Sequence, residues 1–382
     1  MPSQKILICG AGVAGSIVAY WLAKHDFQVV VIERSKAAQK AGQGIEIEEP
    51  ALQVVKLMAI LDELNERRTK EQGFQLVDAQ GRSHGILDVG GVSPTGALEI
   101  MRGDLTQTLS SAAEKFPNVT YRYETTISSL TQTPDRTTVH LTNRATNPPT
   151  TTEESFSLVI GADGVNSTTR TLAMGSPQHL RCFHPVSAYV AYFSIPSAAH
   201  DWPRSQLCHF PRRRIIWKRP VGPTSPTTSI YIIHPTTAPN ASLSAANASG
   251  DREKQKRAFA DLFDGGGGHG VGGGGMGWET SRIVKEMLAS TNFYSDELVQ
   301  VKLQRWSSGR VVLVGDAAWA PTPFTGEGNQ LAILGAWVLA QEIVRNSHDP
   351  DPVDAFGRYE ARLRGMGAVY FCAQYEVGDL VV

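Results

Sequence analysis

"KILICGAGVAGSIVAYWLAKHDFQVVVIERS", residues 5–35, decides the fold. An apolar run of strand type, Ile6 to Cys9, enters Gly10, Gly12 and Gly15 at GxGxxG spacing. A helical apolar pattern follows, then a second strand, Gln28 to Ile32, that ends at Glu33. The glycines alone carry little. The order strand, glycines, helix, strand and a terminal acid about 20 residues on is the full dinucleotide fingerprint, against which a βαβ unit with incidental glycines is the weaker reading. Gly10 permits the tight turn, Gly12 lets backbone approach a pyrophosphate, and Gly15 allows helix and strand to pack closely. The helix opening at Val13 and Ala14 would offer unpaired N–H groups and a positive dipole end to phosphate. Glu33, with Arg34 beside it, would accept hydrogen bonds from ribose hydroxyls.

Composition bounds the rest. A chain of 382 residues suits two joined domains or one large α/β domain. With 41% hydrophobic residues and a net charge of -1, it reads as an ordinary globular protein without the basic stripe of a nucleic-acid binder. No apolar run approaches the roughly 18 to 20 residues of a membrane span. The N-terminus lacks a secretory pattern. Cys9, Cys182, Cys208 and Cys372 form no CxxC pair, so neither a disulfide framework nor a metal site is expected, and a reducing, cytoplasmic setting is.

Two further motifs choose between FAD and NAD, which share the ADP moiety. "LVIGADGVNSTTR", residues 158–170, places a strand before Gly161, Asp163 and Gly164. "GRVVLVGDAAWAPTPFTGEGNQLAILGAWVLAQEI", from Gly309, places a strand before Gly315 and Asp316, then a proline-rich loop, Gly326, Gly328 and a long helix. In this order the three stretches resemble the fingerprint, DG and GD motifs of the single-component FAD-dependent monooxygenases, the para-hydroxybenzoate hydroxylase-like aromatic hydroxylases. The resemblance extends through "MRGDLTQTL", "AYVAYFSIP" and "FYSDELVQVKLQRWSSGR" and so covers most of the chain.

The resemblance implies a Rossmann-like α/β FAD-binding domain interleaved with a substrate domain on a mostly antiparallel β-sheet. The expected division is 1–170 and 309–382 for FAD, with early substrate-domain segments around 45–100, and 171–308 for substrate, including a glycine-rich loop at 264–277. It implies tight, non-covalent FAD, with NADPH or NADH as transient co-substrate. No second GxGxxG follows an apolar strand, the spacing recurring only inside the glycine run 265–277, as expected where the nicotinamide nucleotide has no Rossmann unit of its own. It further implies O2 and a small electron-rich, aromatic or polyketide-like substrate, oxygenated through a C4a-hydroperoxyflavin, in a monomer or homodimer. Alternatives are a flavin-dependent halogenase, whose WxWxIP segment is missing, another FAD-dependent oxidoreductase, or a degenerate FAD-binding module.

Residue by residue, Asp316 would accept from the ribityl hydroxyls, or else serve as a turn or cap aspartate. Gly326, Gly328 and Asn329 would turn a helix N-terminus to the flavin pyrimidine, with Pro321 and Pro323 beside the ring. Trp319 departs from the histidine or tyrosine common there. Arg102 would reach the phosphate and ribityl region, or be a salt-bridged surface arginine, while Asp104 can cap the next helix. Asp163 would lie near the pyrophosphate. Arg170 would support it or be a solvated helix arginine. Gly42 and Gly44 mark either a loop near the flavin or an ordinary turn.

Strands are expected over Ser187 to Pro196, in "RRIIWKRP" and in "TTSIYIIHP", with Tyr192, His209, Arg213, Trp217 and Tyr231 as pocket candidates or plain core. Residues 145–155 read as a loop and 236–257 as a mobile connection leading into a helix. The glycines of "DGGGGHGVGGGGMGWE", residues 264–279, have helical patterns on both sides. They therefore read as an expanded loop ending in a Gly277–Trp278 turn, not as a phosphate cradle.

Overall fold

The computed structural model describes residues 4–37, 43–88, 98–176, 181–263, 277–349 and 351–371. The glycine run 264–276 and Gly42 lie outside them. Two sheets organise the molecule.

The first has six strands in the order Ser307–Ser308, Val311–Leu313, Leu158–Gly161, Lys5–Cys9, Gln28–Ile32, Val119–Arg122. All pairs are parallel except the short outer Ser307–Ser308. Its central strands read as unbroken apolar runs because both faces are covered. Against one face lie the helices Val13–Ala23, Arg102–Glu114 and Gly328–Arg345, sharing a core with Ile6, Ile8, Val29 and Val31. Against the other lies a three-stranded antiparallel sheet, Thr125–Gln132, Thr137–Asn143 and Thr150–Phe156, which packs Ile127, Val139, Leu141 and Phe156 onto Leu7, Val30 and Val159. Residues 150–155, expected as loop, are therefore strand. Their threonines suit a half-exposed pleated surface.

The second sheet has eight strands in the order Trp319–Ala320, Tyr294–Lys302, Phe183–Pro196, Thr227–Pro235, Arg214–Pro220, Ser205–Phe210, Phe74–Val77, Ser83–Leu87. Every pair is antiparallel except Ser205–Phe210 with Phe74–Val77. The helices Ala241–Ser249, Arg252–Asp261 and Thr280–Ala289 cover one face through Leu243, Phe259, Ile283 and Met287.

Residues 241–249 are thus helix where a mobile connection was expected, and the helix that connection was expected to lead into is Arg252–Asp261. Asn240 accepts from the backbone N–H of Ser242 and Leu243 at 3.1 and 3.2 Å, and Asp251 from Glu253 and Lys254 at 2.9 and 3.2 Å. Two side-chain caps start two short helices. Asp104, by contrast, caps nothing: its helix begins at Arg102 after an extended Met101, leaving Asp104 in the first turn. Gly277 has φ +93°, and the N–H of Trp278 donates to Ala79 O at 2.5 Å, fixing the turn before Thr280–Ala289. No helix among the described residues is long and apolar enough to cross a membrane.

Candidate functional site

Three glycines of the fingerprint do different work. Gly10 has φ +108°, and a Cβ there would lie 2.4 Å from Ala162 O; a Cβ on Gly15 would lie 2.0 Å from Gly10 O. Both positions are closed by backbone. A Cβ on Gly12 meets nothing within 4 Å, because Gly12 faces open space. That space is a cleft between the two sheets, at the carboxyl ends of the parallel strands, where α/β sheets bind their ligands.

Gly10, Gly12, Glu33, Arg34, Gln43, Arg102, Asp163 and Asp316 line it from the parallel-sheet side. Gly12 is the N-cap of Val13–Ala23 with no side-chain cap, and no acidic residue lies in the first turn. The first N–H groups of that helix therefore keep their capacity for an anion. Val13 and Ala14 are buried at the helix start, and Ala14 Cβ would be 3.1 Å from a Cβ at Gly315, so they hold the glycine loop against the GD segment. Glu33 is fixed at the rim by accepting from Ala11 N at 3.1 Å and Ser35 N at 2.9 Å.

Arg102 lines the cleft and has no carboxylate partner within 4 Å among the described residues, which sets aside the salt-bridged surface arginine. Burial pushes the Asp316 carboxyl up, and Arg102 draws it back. Asp163 lines the cleft, but its carboxylate is engaged within the chain. It accepts from Ser167 Oγ at 2.5 Å and from Thr169 N and Oγ1 at 2.9 and 3.0 Å, ordering the helix Thr168–Met174. Arg170 is no solvated helix arginine. It is 0% exposed, donates to Ala317 O and Val165 O, and so staples the DG segment to the GD segment.

The antiparallel sheet supplies the opposite wall. Tyr294, Tyr192, Tyr231 and Trp217 are direct cross-strand partners and form one aromatic row over four strands. Ring centroids are 6.3, 5.1 and 5.7 Å apart. Beside it on the same face stand Ser194 and Ser229, themselves paired, and Asn292, whose amide donates to Ser194 Oγ at 2.9 Å. Tyr294 donates to Asp296 Oδ2 at 2.9 Å. Burial raises Asp296, against the hydrogen bond from Tyr294, and raises Tyr192, Tyr231 and Tyr294.

Of the five pocket candidates, Tyr192 and Tyr231 line the cleft, and Trp217 packs edge-on against Tyr231. Arg213 does not reach the cleft. With Arg212 it forms the tip of the hairpin between Ser205–Phe210 and Arg214–Pro220, at φ +62° and +57°, exposed to solvent; His209 is also exposed. Phe210 pairs with Arg214, so the loop has three residues, and its two positive φ values are reached without glycine. Pro323 and Gly326 are exposed in the turn before the long helix, and Gly328 and Asn329 are half-buried at its start. Gly44 lies behind the wall, paired with Met101, while its neighbour Gln43 lines the cleft. Trp319 turns away from the cleft into a cluster with Trp306 and Tyr359, at 4.5 and 6.2 Å. Sequence reasoning missed Tyr294, Asp296, Asn292, Ser194 and Ser229, which only strand register gathers.

His200, Asp201 and Glu279 bring potential metal-ligand atoms within 4.8 Å of one another. Both carboxylates are already ion-paired with Lys218 and Arg282.

An open glycine, uncapped helix N–H groups, a rim carboxylate, an arginine and a half-buried aspartate make a donor set that fits a dinucleotide. Comparisons with known proteins agree. The family profile described as FAD binding domain matches residues 3–254. Monooxygenase CTB7 of Cercospora beticola is 36% identical over 369 residues, covering 94% of this chain and 83% of that protein. A flavin-dependent monooxygenase of Legionella longbeachae is 31% identical over 94% of this chain and 85% of its own length. The crystal structure of tetracycline destructase Tet(51) superposes with a TM-score of 0.77 at 28% identity, covering 95% of this chain and 87% of the other. This chain therefore belongs to the FAD-dependent monooxygenases.

Proposed function

We propose that this monooxygenase uses NADPH or NADH and O2 to insert one oxygen atom into an electron-rich aromatic or polyketide-like small molecule. The observation that carries this reading is the single cleft that joins the fingerprint glycines, Arg102 and Asp316 to the tyrosine row. Relatives named for tetracycline destruction favour a multi-ring substrate with acidic hydroxyl groups.

The residues divide the work. The N–H groups from Gly12 to Gly15 would hold the FAD pyrophosphate, Glu33 the adenosine ribose with Arg34 at the rim, and Asp316 the ribityl hydroxyls. Arg102 would neutralise phosphate or developing flavin charge, and the helix opening at Gly328 and Asn329 would turn its positive end to the flavin pyrimidine. Asp163 supports this set from behind. Bound FAD supplies hydride acceptance and oxygen activation. Tyr192, Tyr231 and Tyr294 would position the substrate and exclude water, with Ser194, Ser229 and Asn292 offering hydrogen bonds at its edge. On this reading residues 1–170 and 309–382 hold FAD, and 171–308 with the strands at 74–87 face the substrate, so the two domains interleave in sequence.

The purified protein should be yellow and should oxidise NADPH faster when phenols or polyketide-like polyphenols are added, giving a product one oxygen atom heavier. A colourless protein that takes up no FAD would overturn the reading. Gly12→Val, whose side chain enters the open cleft without touching backbone, should abolish flavin retention while leaving the fold intact by circular dichroism.

A further inference from the structure

Four carboxylates line the cleft, and they differ in what satisfies them. Glu33 accepts from two backbone N–H groups, Asp163 accepts from Ser167 and Thr169, and Asp316 is drawn down by Arg102. Asp296, half-buried on the antiparallel wall, has no cationic partner within 4 Å among the described residues. Tyr294 Oη donates to its Oδ2 at 2.9 Å. Burial pushes the carboxyl up, and what opposes burial is this hydroxyl and the backbone of Glu297, not a charge. Glu297 itself turns to the other face of the sheet, where Ser244 Oγ donates to it at 3.3 Å.

The surroundings of Asp296 are apolar on one side and aromatic on the other. Its cross-strand partner is Val190, two residues along both strands from the Tyr192–Tyr294 pair. Val190 and Leu298 are 2 and 6% exposed and pack with Ile233 and Phe324. In the other direction begins the tyrosine row, where the rings of Tyr192 and Tyr294 lie 15° from parallel. A carboxylate placed there gives up hydration without gaining a counter-charge, which is costly. The faces of tyrosine rings attract cations. Both features are completed by one thing, a positive charge. FAD brings phosphates and a neutral ring system, so the cation has to come with a molecule that enters the cleft.

We propose that Asp296, with the rings of Tyr192 and Tyr294, is a recognition site for a protonated amine, and that the aromatic substrate of this enzyme carries a basic nitrogen. This rests on reading the cleft as the substrate site. Tyr294 occupies Asp296 Oδ2, which leaves Oδ1 to accept from an ammonium N–H, while the carbons on that nitrogen lie against the rings. No proton or electron is transferred. The ammonium does not react; it anchors one end of the substrate and so limits which ring atom meets the oxygen.

Calorimetric titration of the flavin-loaded protein tests this with two probes that differ in one group: tyramine has an ammonium where 4-propylphenol has a methyl. The ratio of tyramine to 4-propylphenol affinity should fall at least about tenfold in Asp296→Asn, the scale of a hydrogen bond to a charged group. Asparagine keeps the side-chain size and an acceptor for Tyr294, and Asp296→Ser serves if that variant does not fold. The affinity for 4-propylphenol should stay the same, which a disturbed wall would not allow. An unchanged ratio, or failure of every amine to bind the wild type, overturns the amine site. In that case 4-propylphenol, bound and converted to a product one oxygen atom heavier, would still uphold the reading of the cleft. Phenethylamine has the ammonium and no hydroxyl. Its binding to the wild type and loss in Asp296→Asn would uphold the amine site even if no phenol were oxygenated. Loss of affinity for oxidised NADP in the variant, with the amine ratio unchanged, would give the carboxylate to the nicotinamide cation and overturn the proposal.

Discussion

Lys218 and Arg219 are consecutive residues of one strand, so their side chains enter opposite faces of the eight-stranded sheet. On the helix face, Lys218 pairs with Asp201 and Glu279, and Arg282 pairs with the same two carboxylates. Two cations meet two anions, with His200 at the rim. On the cleft face, Arg219 alone meets Glu71 and Glu99. The consequence is opposite in sign. Arg282 and Lys218 hold Asp201 and Glu279 below the usual carboxylate range despite burial, whereas Glu71 rises to about 7. The balanced cluster fastens Thr280–Ala289 to the sheet. The unbalanced one sits beside the cleft and can change its charge near neutral pH, which is where a titrating group serves chemistry.

Removing the balance should have the largest effect. Lys218→Met leaves Arg282 with two buried carboxylates, the same count as on the cleft face. A loss of ~3–5 kcal/mol in urea denaturation is expected from breaking a buried pair, together with a new fall in stability as pH rises. A loss under about 1 kcal/mol would mean that the two faces do not differ in the way their charges suggest.

The second test uses the pH axis. Glu71 has a folded pKa above its unfolded value of 4.5, so it binds its proton more tightly when folded. Its contribution is absent below pH 4.5, turns destabilising as pH rises from 4.5 to about 7, by about 3 kcal/mol in total, and stays constant above that. Asp201 works the other way: its depressed pKa contributes stability above 3.8 that is lost as pH falls through the folded value. Glu71→Gln should therefore flatten the fall in stability between about pH 4.5 and pH 7 and leave unfolding below pH 4.5 untouched. A variant whose slope between pH 4.5 and 7 matches the wild type would show that the proton sits elsewhere.

The parallel layer was readable because its signals are local. Glycine spacing, the apolar runs at 5–9, 28–32 and 158–161 and the acid at position 33 all lie within one supersecondary unit each. The strands in "RRIIWKRP" and "TTSIYIIHP" followed from composition for the same reason. The helix at 241–249 was missed although Asn240 stood at a cap position, because alanine, serine and asparagine suit a solvated linker as well as a short helix. The opposite wall of the cleft was only partly legible. Tyr192, Tyr231 and Tyr294 become neighbours through cross-strand register, which no window of sequence contains, and the same register separates Arg219 from the exposed Arg213 six residues away. Trp319 was misplaced toward the flavin because sequence position cannot show that Trp306 and Tyr359 draw its ring into the core.

The smallest expected effect is also the one that separates charge count from geometry. Arg282 grips Asp201 with both terminal nitrogens, Nη1 to Oδ1 at 3.0 Å and Nη2 to Oδ2 at 2.7 Å, and its side chain is 26% exposed. Arg282→Lys keeps two cations against two anions and gives up only the planar fork, so a loss of about 1 kcal/mol is expected. Because the balance survives, the variant should show no new dependence on rising pH, unlike Lys218→Met. Should Arg282→Lys acquire that dependence, the low carboxylate pKa values on the helix face would owe their position to bidentate geometry, and charge count would no longer account for the contrast between residues 218 and 219.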